Sequence, residues 1–300
     1  MYTYKSRVRY SEIGVNGNLT LESLLDYFQD CSTFHSEDIG LGIEYLQERH
    51  MVWLMSSWQI VIERYPRLCE NIIIGTAPYE FRGFIGCRNF WMETSEGERL
   101  AYANSIWSLM DTEKMTPAKP PADMLEGYVL SERLPMDYAP RKIAVPSAGH
   151  SQEEMQVKMH HLDTNGHVNN GQHVRIAMDY VPKDFSIRQM RAEYKKQAVL
   201  GDRIIPFVAV NDEETLYTVA LGGEDGRPYS IVELTGDAEY DRRPSGRGDQ
   251  TVFRITVNKH FQFISRFCTL RHLFHRKQHF VRFFSICSQI YAEIDLFYNF

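Results

Sequence analysis

The sequence predicts an α+β fold made of two copies of one unit, and three observations carry that expectation. A helical pattern is followed by several long strand-like runs, and the same order recurs in the second half. Ile13-Gly-Val-Asn-Gly-Asn-Leu19 aligns with Leu162-Asp-Thr-Asn-Gly-His-Val168, about 149 residues on, and each segment runs into a helix. A helix followed by antiparallel strands on each side of such a repeat places each helix against its own sheet.

Residues 3–10 alternate Tyr4, Ser6, Val8 and Tyr10 with charged neighbours, which predicts a strand. Leu21, Leu24, Leu25, Phe28 and Cys31 mark one face of a helix running to about Phe34, capped by Thr20 or Asn18 and ended near Gly40 and Gly42. Met51 to Glu63 reads as a strand that Tyr65-Pro66 breaks. Further strands begin at Ile72 and cover Phe84–Glu93 and Leu100–Met110, with a turn at Glu96-Gly97.

Between Thr112 and Pro146 the six prolines Pro117, Pro120, Pro121, Pro135, Pro140 and Pro146 predict a linker laid on a surface and not core sheet. A strand resumes at Gln156. Val174, Ala177, Met178 and Val181 then recur at helical spacing, with Asn169 or Asn170 as N-cap and Pro182 as the stop. Strands follow at Met190–Ala198, Arg203–Val210, Thr215–Leu221 and Tyr229–Leu234. The expected organisation is a first domain at 1–111, a linker at 112–155, a second domain at 156–240, and a basic, Phe-rich tail at 241–300. Three readings of the tail stand side by side: a membrane-surface helix, an add-on packed against the domains, or a frameshifted C-terminus not selected to fold. The clean end of the repeat near Asp237 favours the third. His272 and His275 have no carboxylate near them, and no metal site is expected there.

A formal net charge of -6 argues against generic nucleic-acid binding, while leaving room for local basic patches. The five cysteines are scattered and odd in number, without a C-x-x-C pair, which suits a reduced cytoplasmic protein. No stretch reaches the roughly 18 apolar residues that an integral membrane helix needs, and the first residues lack the apolar core of a signal peptide.

The chemistry concentrates in Leu162–Asn170. Asp163, Asn165 and His167 bring a carboxylate, a carboxamide and an imidazole into one turn at the start of a helix, where unpaired N–H groups favour an oxygen that gains charge. An Asn-Gly turn with an Asx residue is the plainer reading of the same residues. In the first copy the corresponding positions hold Gly14 and Asn18, so that copy has lost the chemistry.

Leu162-Asp163-Thr-Asn165-Gly-His167-Val-Asn-Asn, followed by a helix and then Ala192-Glu-Tyr-Lys-Lys-Gln197-Ala198, resembles the fatty acyl-ACP thioesterases over about residues 2–237. The resemblance implies two tandem hotdog domains, each a long helix wrapped by an antiparallel sheet, and cofactor-free hydrolysis of a fatty acyl thioester of acyl carrier protein. It places Asp163, Asn165 and His167 on the family's Asp-x-Asn-x-His. The family has an acidic residue, often followed by Cys, where this chain has Gln197 and Ala198, so a cysteine nucleophile and a glutamate base are both missing there.

Gln197 holds a water but cannot take its proton near neutral pH. By alternation Glu193 shares its strand face at some distance, which leaves Asp163 or His167 as the base. Backbone N–H groups near Val168 and Asn169 are the expected oxyanion donors. Asp163 is also expected to orient the imidazole. Trp53, Trp58 and Phe34 are candidates for an acyl tunnel, and Lys183, Arg188, Arg191, Lys195 and Lys196 for a docking face toward an acidic carrier. Coenzyme A as the carrier, and an acyl-thioester binder without catalysis, are the alternatives. A homodimer is compatible with all of them.

Overall fold

The computed structural model describes residues 1–183 and 185–237; the Phe-rich tail, with His272 and His275, lies outside the described residues. The first half runs β1 (Tyr2–Arg7), α1 (Leu21–Asp38), α2 (Ile43–Glu48), β2 (Met51–Ile62), β3 (Asn71–Arg82), β4 (Ile85–Thr94) and β5 (Arg99–Asp111). The connection carries β6 (Thr116–Pro117) and α3 (Ala122–Gly127). The second half runs β7 (His150–Ser151), β8 (Met155–Gln156), α4 (Asn170–Met178), β9 (Ser186–Tyr194), β10 (Arg203–Val210), β11 (Leu216–Gly222) and β12 (Pro228–Asp237).

The strands form one twelve-stranded sheet in the order β1-β3-β4-β5-β2-β9-β12-β11-β10-β7, with β6 on β5 and β8 on β10. The seam is antiparallel pairing of β2 with β9, where Trp58 faces Ala192 and Ile60 faces Met190. The fold is therefore two tandem hotdog domains sharing a sheet, each helix lying on the inner face of its own half.

Thr20 caps α1 by accepting from the Ser23 N–H at 3.2 Å, and Leu21, Leu24, Leu25, Phe28 and Cys31 bury the expected stripe. The helix continues past Phe34 to Asp38, because Gly40 at φ +71 supplies the left-handed residue that closes it. The helix α4 is half as long, nine residues against 18, and Val181 falls beyond its end. Asn169 is its N-cap, with Oδ1 accepting from Gly171 N–H at 2.7 Å.

The two turns are copies in backbone as well as sequence. Gly14 N–H donates to Asn18 carbonyl at 2.9 Å, and Asp163 N–H to His167 carbonyl at 2.7 Å. Gly17 and Gly166, both at φ +76, turn the chain where an L side chain would be strained.

The proline-rich connection lies on the outer face of the sheet and is mostly exposed, but it is pinned there by a few buried side chains. Met124 and Tyr128 bury themselves against Leu41 and Leu109, and Ile143 against Ala220 and Ile231. The outer face of the sheet carries polar residues that need partners under this cover. Gln59 donates to Asp137 carbonyl at 2.8 Å and to Gln189 Oε1 at 3.0 Å, while its Oε1 accepts from Ala139 N–H at 2.9 Å. Asn89 Oδ1 accepts from Leu134 N–H and Tyr138 O–H. Prolines lower the number of N–H groups such a strap must satisfy where it meets the sheet.

Gln59 thus ties the strap to both halves of the sheet. Gln59→Leu removes three bonds and strands the backbone groups of Asp137 and Ala139; urea unfolding should show a loss of about 2–3 kcal/mol.

Candidate active site

The second-half turn is built by Asp163. Its Oδ1 accepts from Asn165 N–H at 2.8 Å and from His167 N–H at 3.1 Å, and Gly166 N–H donates back to Asp163 carbonyl at 3.1 Å. The Asx-turn reading and the functional reading therefore apply together: the carboxylate that carries charge also shapes the loop that presents Asn165 and His167. It holds the backbone of His167 through that N–H, in place of the expected bond to the imidazole. Asp163 and His167 are half-buried, and Asn165 and Gln197 are exposed.

The turn is anchored on the irregular segment that follows β9. Val168 N–H donates to Ala198 carbonyl at 2.9 Å, and His167 bridges to Val199. Gln197, singled out by the family resemblance, is thereby brought next to the turn. The same bond overturns an expectation, because Val168 N–H is spent on Ala198 and Asn169 N–H on His161 carbonyl at 2.9 Å. Neither is free to stabilise an oxyanion.

Glu193 is also removed from consideration. The strand ends at Tyr194, and the N–H groups of Lys195 and Lys196 both reach Tyr229 carbonyl, so alternation does not carry from Glu193 to Gln197. Glu193 is buried on the outer face, its Oε2 accepting from Ile143 N–H at 3.0 Å and its Oε1 lying 3.2 Å from Lys195 Nζ. Arg191 likewise turns into the strap, with Glu233 at 2.7 Å and the carbonyl of Pro140 at 2.6 Å. Arg188 donates to Glu63 carbonyl, and Lys196 pairs with Asp225. The expected basic face is smaller than the sequence suggests.

Asn165 borders a cavity of about 280 Å³ whose other walls belong to the first half and the connection. Trp53, Phe81 and Trp107 supply apolar surface, and Ser36, Arg88 and Tyr128 supply polar groups. Of the aromatic residues expected to line a tunnel, Trp53 does so. Trp58 instead packs between Phe28 and Phe90, and Phe34 stands at the surface against Tyr4. Cys87 also reaches the cavity, but burial pushes its thiol up, which leaves it protonated and a poor nucleophile.

Two groups of positioning residues escaped the reading of motifs. Tyr194 is half-buried and donates to Asn170 carbonyl at 3.0 Å, fixing the first turn of α4. His173 lies beside it and shares a 3.0 Å hydrogen bond with Ser230; burial lowers its pKa to about 4, so it is neutral. Arg88 was legible in principle, since alternation puts it in phase with the buried Phe90 and Met92.

The family model described as acyl-ACP thioesterase N-terminal domain matches residues 1–128, and that described as acyl-ACP thioesterase C-terminal domain matches residues 146–224. An oleoyl-acyl carrier protein thioesterase of Coriandrum sativum is 22% identical over 260 residues, covering 79% of this chain and 70% of that protein. A palmitoyl-acyl carrier protein thioesterase of Gossypium hirsutum is 21% identical over 240 residues, and the alignment spans 74% of this chain and 58% of that protein. Among solved structures, an acyl-ACP thioesterase from Bacteroides thetaiotaomicron aligns with a TM-score of 0.72 at 22% identity, covering 78% of this chain and 97% of the other.

The shaping role of Asp163 separates from its charge. Asp163→Ala should lower stability by about 1–2 kcal/mol through two lost acceptor contacts. Asp163→Asn, which keeps Oδ1, should lose less than about 1 kcal/mol; thermal unfolding of the two variants side by side measures the difference.

Proposed function

The chain belongs to the acyl-ACP thioesterase family, and on that premise we propose that it hydrolyses a fatty acyl thioester of acyl carrier protein to free fatty acid and carrier thiol, in fatty acid biosynthesis. The observation that supports this reading is the reach of Asn165, from a turn of the second half, to a cavity walled by the first. The acyl chain enters the cavity, and the thioester rests at its edge beside Asp163, Asn165 and His167.

We assign the base to His167, because Asp163 Oδ1 is committed to the turn. Water, held by the carboxamides of Asn165 and Gln197, attacks the carbonyl carbon while His167 takes its proton. The Asp163 carboxylate steadies the resulting imidazolium. The tetrahedral intermediate collapses with cleavage of the C–S bond, and the thiol leaves with the proton returned by His167. Asn165 donates to the carbonyl oxygen, replacing the backbone donors that Val168 and Asn169 do not supply.

Among the described residues no helix is long and apolar enough to cross a membrane. The scattered cysteines favour a cytoplasmic reaction. Lys183, Lys195 and Lys196 are exposed, the last two in ion pairs with Glu193 and Asp225, and are the candidates for meeting an acidic carrier; a homodimer is compatible with the fold.

Thiol release from a panel of acyl-carrier and acyl-coenzyme A thioesters tests the proposal. His167→Ala and Asp163→Asn should each lower turnover by roughly 10²–10⁴-fold, the usual worth of a positioned acid or base. Gln197→Ala should cost about tenfold or less, as for one neutral hydrogen bond. Gln197→Glu should leave turnover flat or lower when His167 serves; a large rise would move the base to position 197. Binding of acyl thioester without thiol release, in wild type and Gln197→Glu alike, would make the protein a binder and not a hydrolase.

A further inference from the structure

We propose that Arg88 makes the cavity a binding site for an acyl chain that ends in an oxygen function, a carboxylate above all, in preference to one ending in a methyl group. The identity of the guest as an acyl chain rests on the thioesterase reading; the preference for oxygen rests on Arg88 itself.

Arg88 sits on β4 with its side chain turned inward, is 8% exposed and borders the cavity. A guanidinium keeps its charge at any physiological pH, so burial is costly unless an acceptor of opposite charge meets it. None does among the described residues. Nη1 lies 3.0 Å from His35 Nδ1 and 3.4 Å from Thr76 Oγ1, and the Tyr128 ring centroid is 5.4 Å from Cζ. His35 accepts with a neutral ring, its pKa lowered to about 4 by burial and by Arg88. Burial pushes the nearby Cys31 thiol up to about 12, so no thiolate balances the charge. Glu37 borders the same cavity but spends Oε1 on Ile43 N–H at 2.8 Å.

Both hydrogen bonds run through Nη1. Beyond Tyr128, whose hydroxyl already lies 2.8 Å from Ser36 Oγ, the Nε and Nη2 edge meets no acceptor among the described residues. Among the described residues the side-chain nitrogen or oxygen that is fully shielded and unbonded is Trp58 Nε1, so the free edge of Arg88 is open to the cavity and not sealed in protein. That edge presents two parallel N–H groups, the fork that a carboxylate matches. A methyl end pressed against it would strip water from a charge and return nothing.

The test uses the whole protein and amide analogues of acyl-N-acetylcysteamine thioesters, which bind without turning over. One series ends in methyl and the other in carboxylate, matched from six to twelve carbons, with affinity read by calorimetry. In wild type the best carboxylate-ended analogue should bind about tenfold or more tighter than its methyl-ended match, as for a charge-assisted hydrogen bond. Arg88→Gln should abolish that preference, and Arg88→Lys, which keeps the charge but not the fork, should reduce it several-fold. Equal binding of the two series by wild type, or a preference for methyl ends, overturns the proposal. So does a preference that survives both substitutions. Because the analogues do not react, failure of hydrolysis in the thiol assay and failure of this preference are read separately.

Discussion

The antiparallel join of β2 to β9 is the constraint on which the rest of the molecule depends. It fuses two half-sheets into one, removes an exposed edge from each, and sets α1 and α4 side by side on the inner face. Glu22 on α1 then reaches Arg175 at 3.2 Å and Gln172 at 3.0 Å on α4. With the helices held in that relation, the turn before α4 projects toward the later part of α1. Asn165 consequently borders a cavity made by Ser36, Arg88 and Trp53. One half supplies the room and the other the polar turn. Neither half alone has both.

The duplicated turns show how one backbone device serves two ends. Gly17 and Gly166 provide the same positive φ, and the closing bonds of the two loops coincide. In the first copy Asn16 Oδ1 accepts from Asn18 N–H, so a side chain still holds the loop, though without a charge at position 14. In the second copy Asp163 takes over the loop-holding role and adds the charge. Loop stability and chemistry are thus coupled at a single carboxylate. The strap from Thr112 to Pro146 solves a separate problem, covering polar groups on the outer face by giving Gln59 and Asn89 backbone partners.

Arg88 adds a tension to this arrangement. A cavity suited to an alkyl chain by Trp53, Phe81 and Trp107 also contains a buried cation whose protein neighbours are neutral. A purely apolar guest satisfies the first set of groups and leaves the second unmet.

Local pattern was enough to determine the duplication, the α+β class and the cluster Asp163, Asn165 and His167, because helical and strand periodicities and turn residues act over a few positions. Gln197 entered through the family resemblance and not through local pattern, and the Val168–Ala198 bond sets it beside the turn. Local pattern misplaced what depends on contacts distant in sequence. Val168 and Asn169 were expected as free donors, yet the N–H groups of a helix start are free only if no other backbone reaches them, and Ala198 and His161 do. The proline-rich segment reads as a surface linker, and its composition does not record which side chains pin it there, Met124, Tyr128 and Ile143. Trp53 and Trp58 look alike in sequence. Which one borders the cavity and which lies between Phe28 and Phe90 was decided only when β2 was placed between β5 and β9, since a side chain's surroundings come from its neighbours in space.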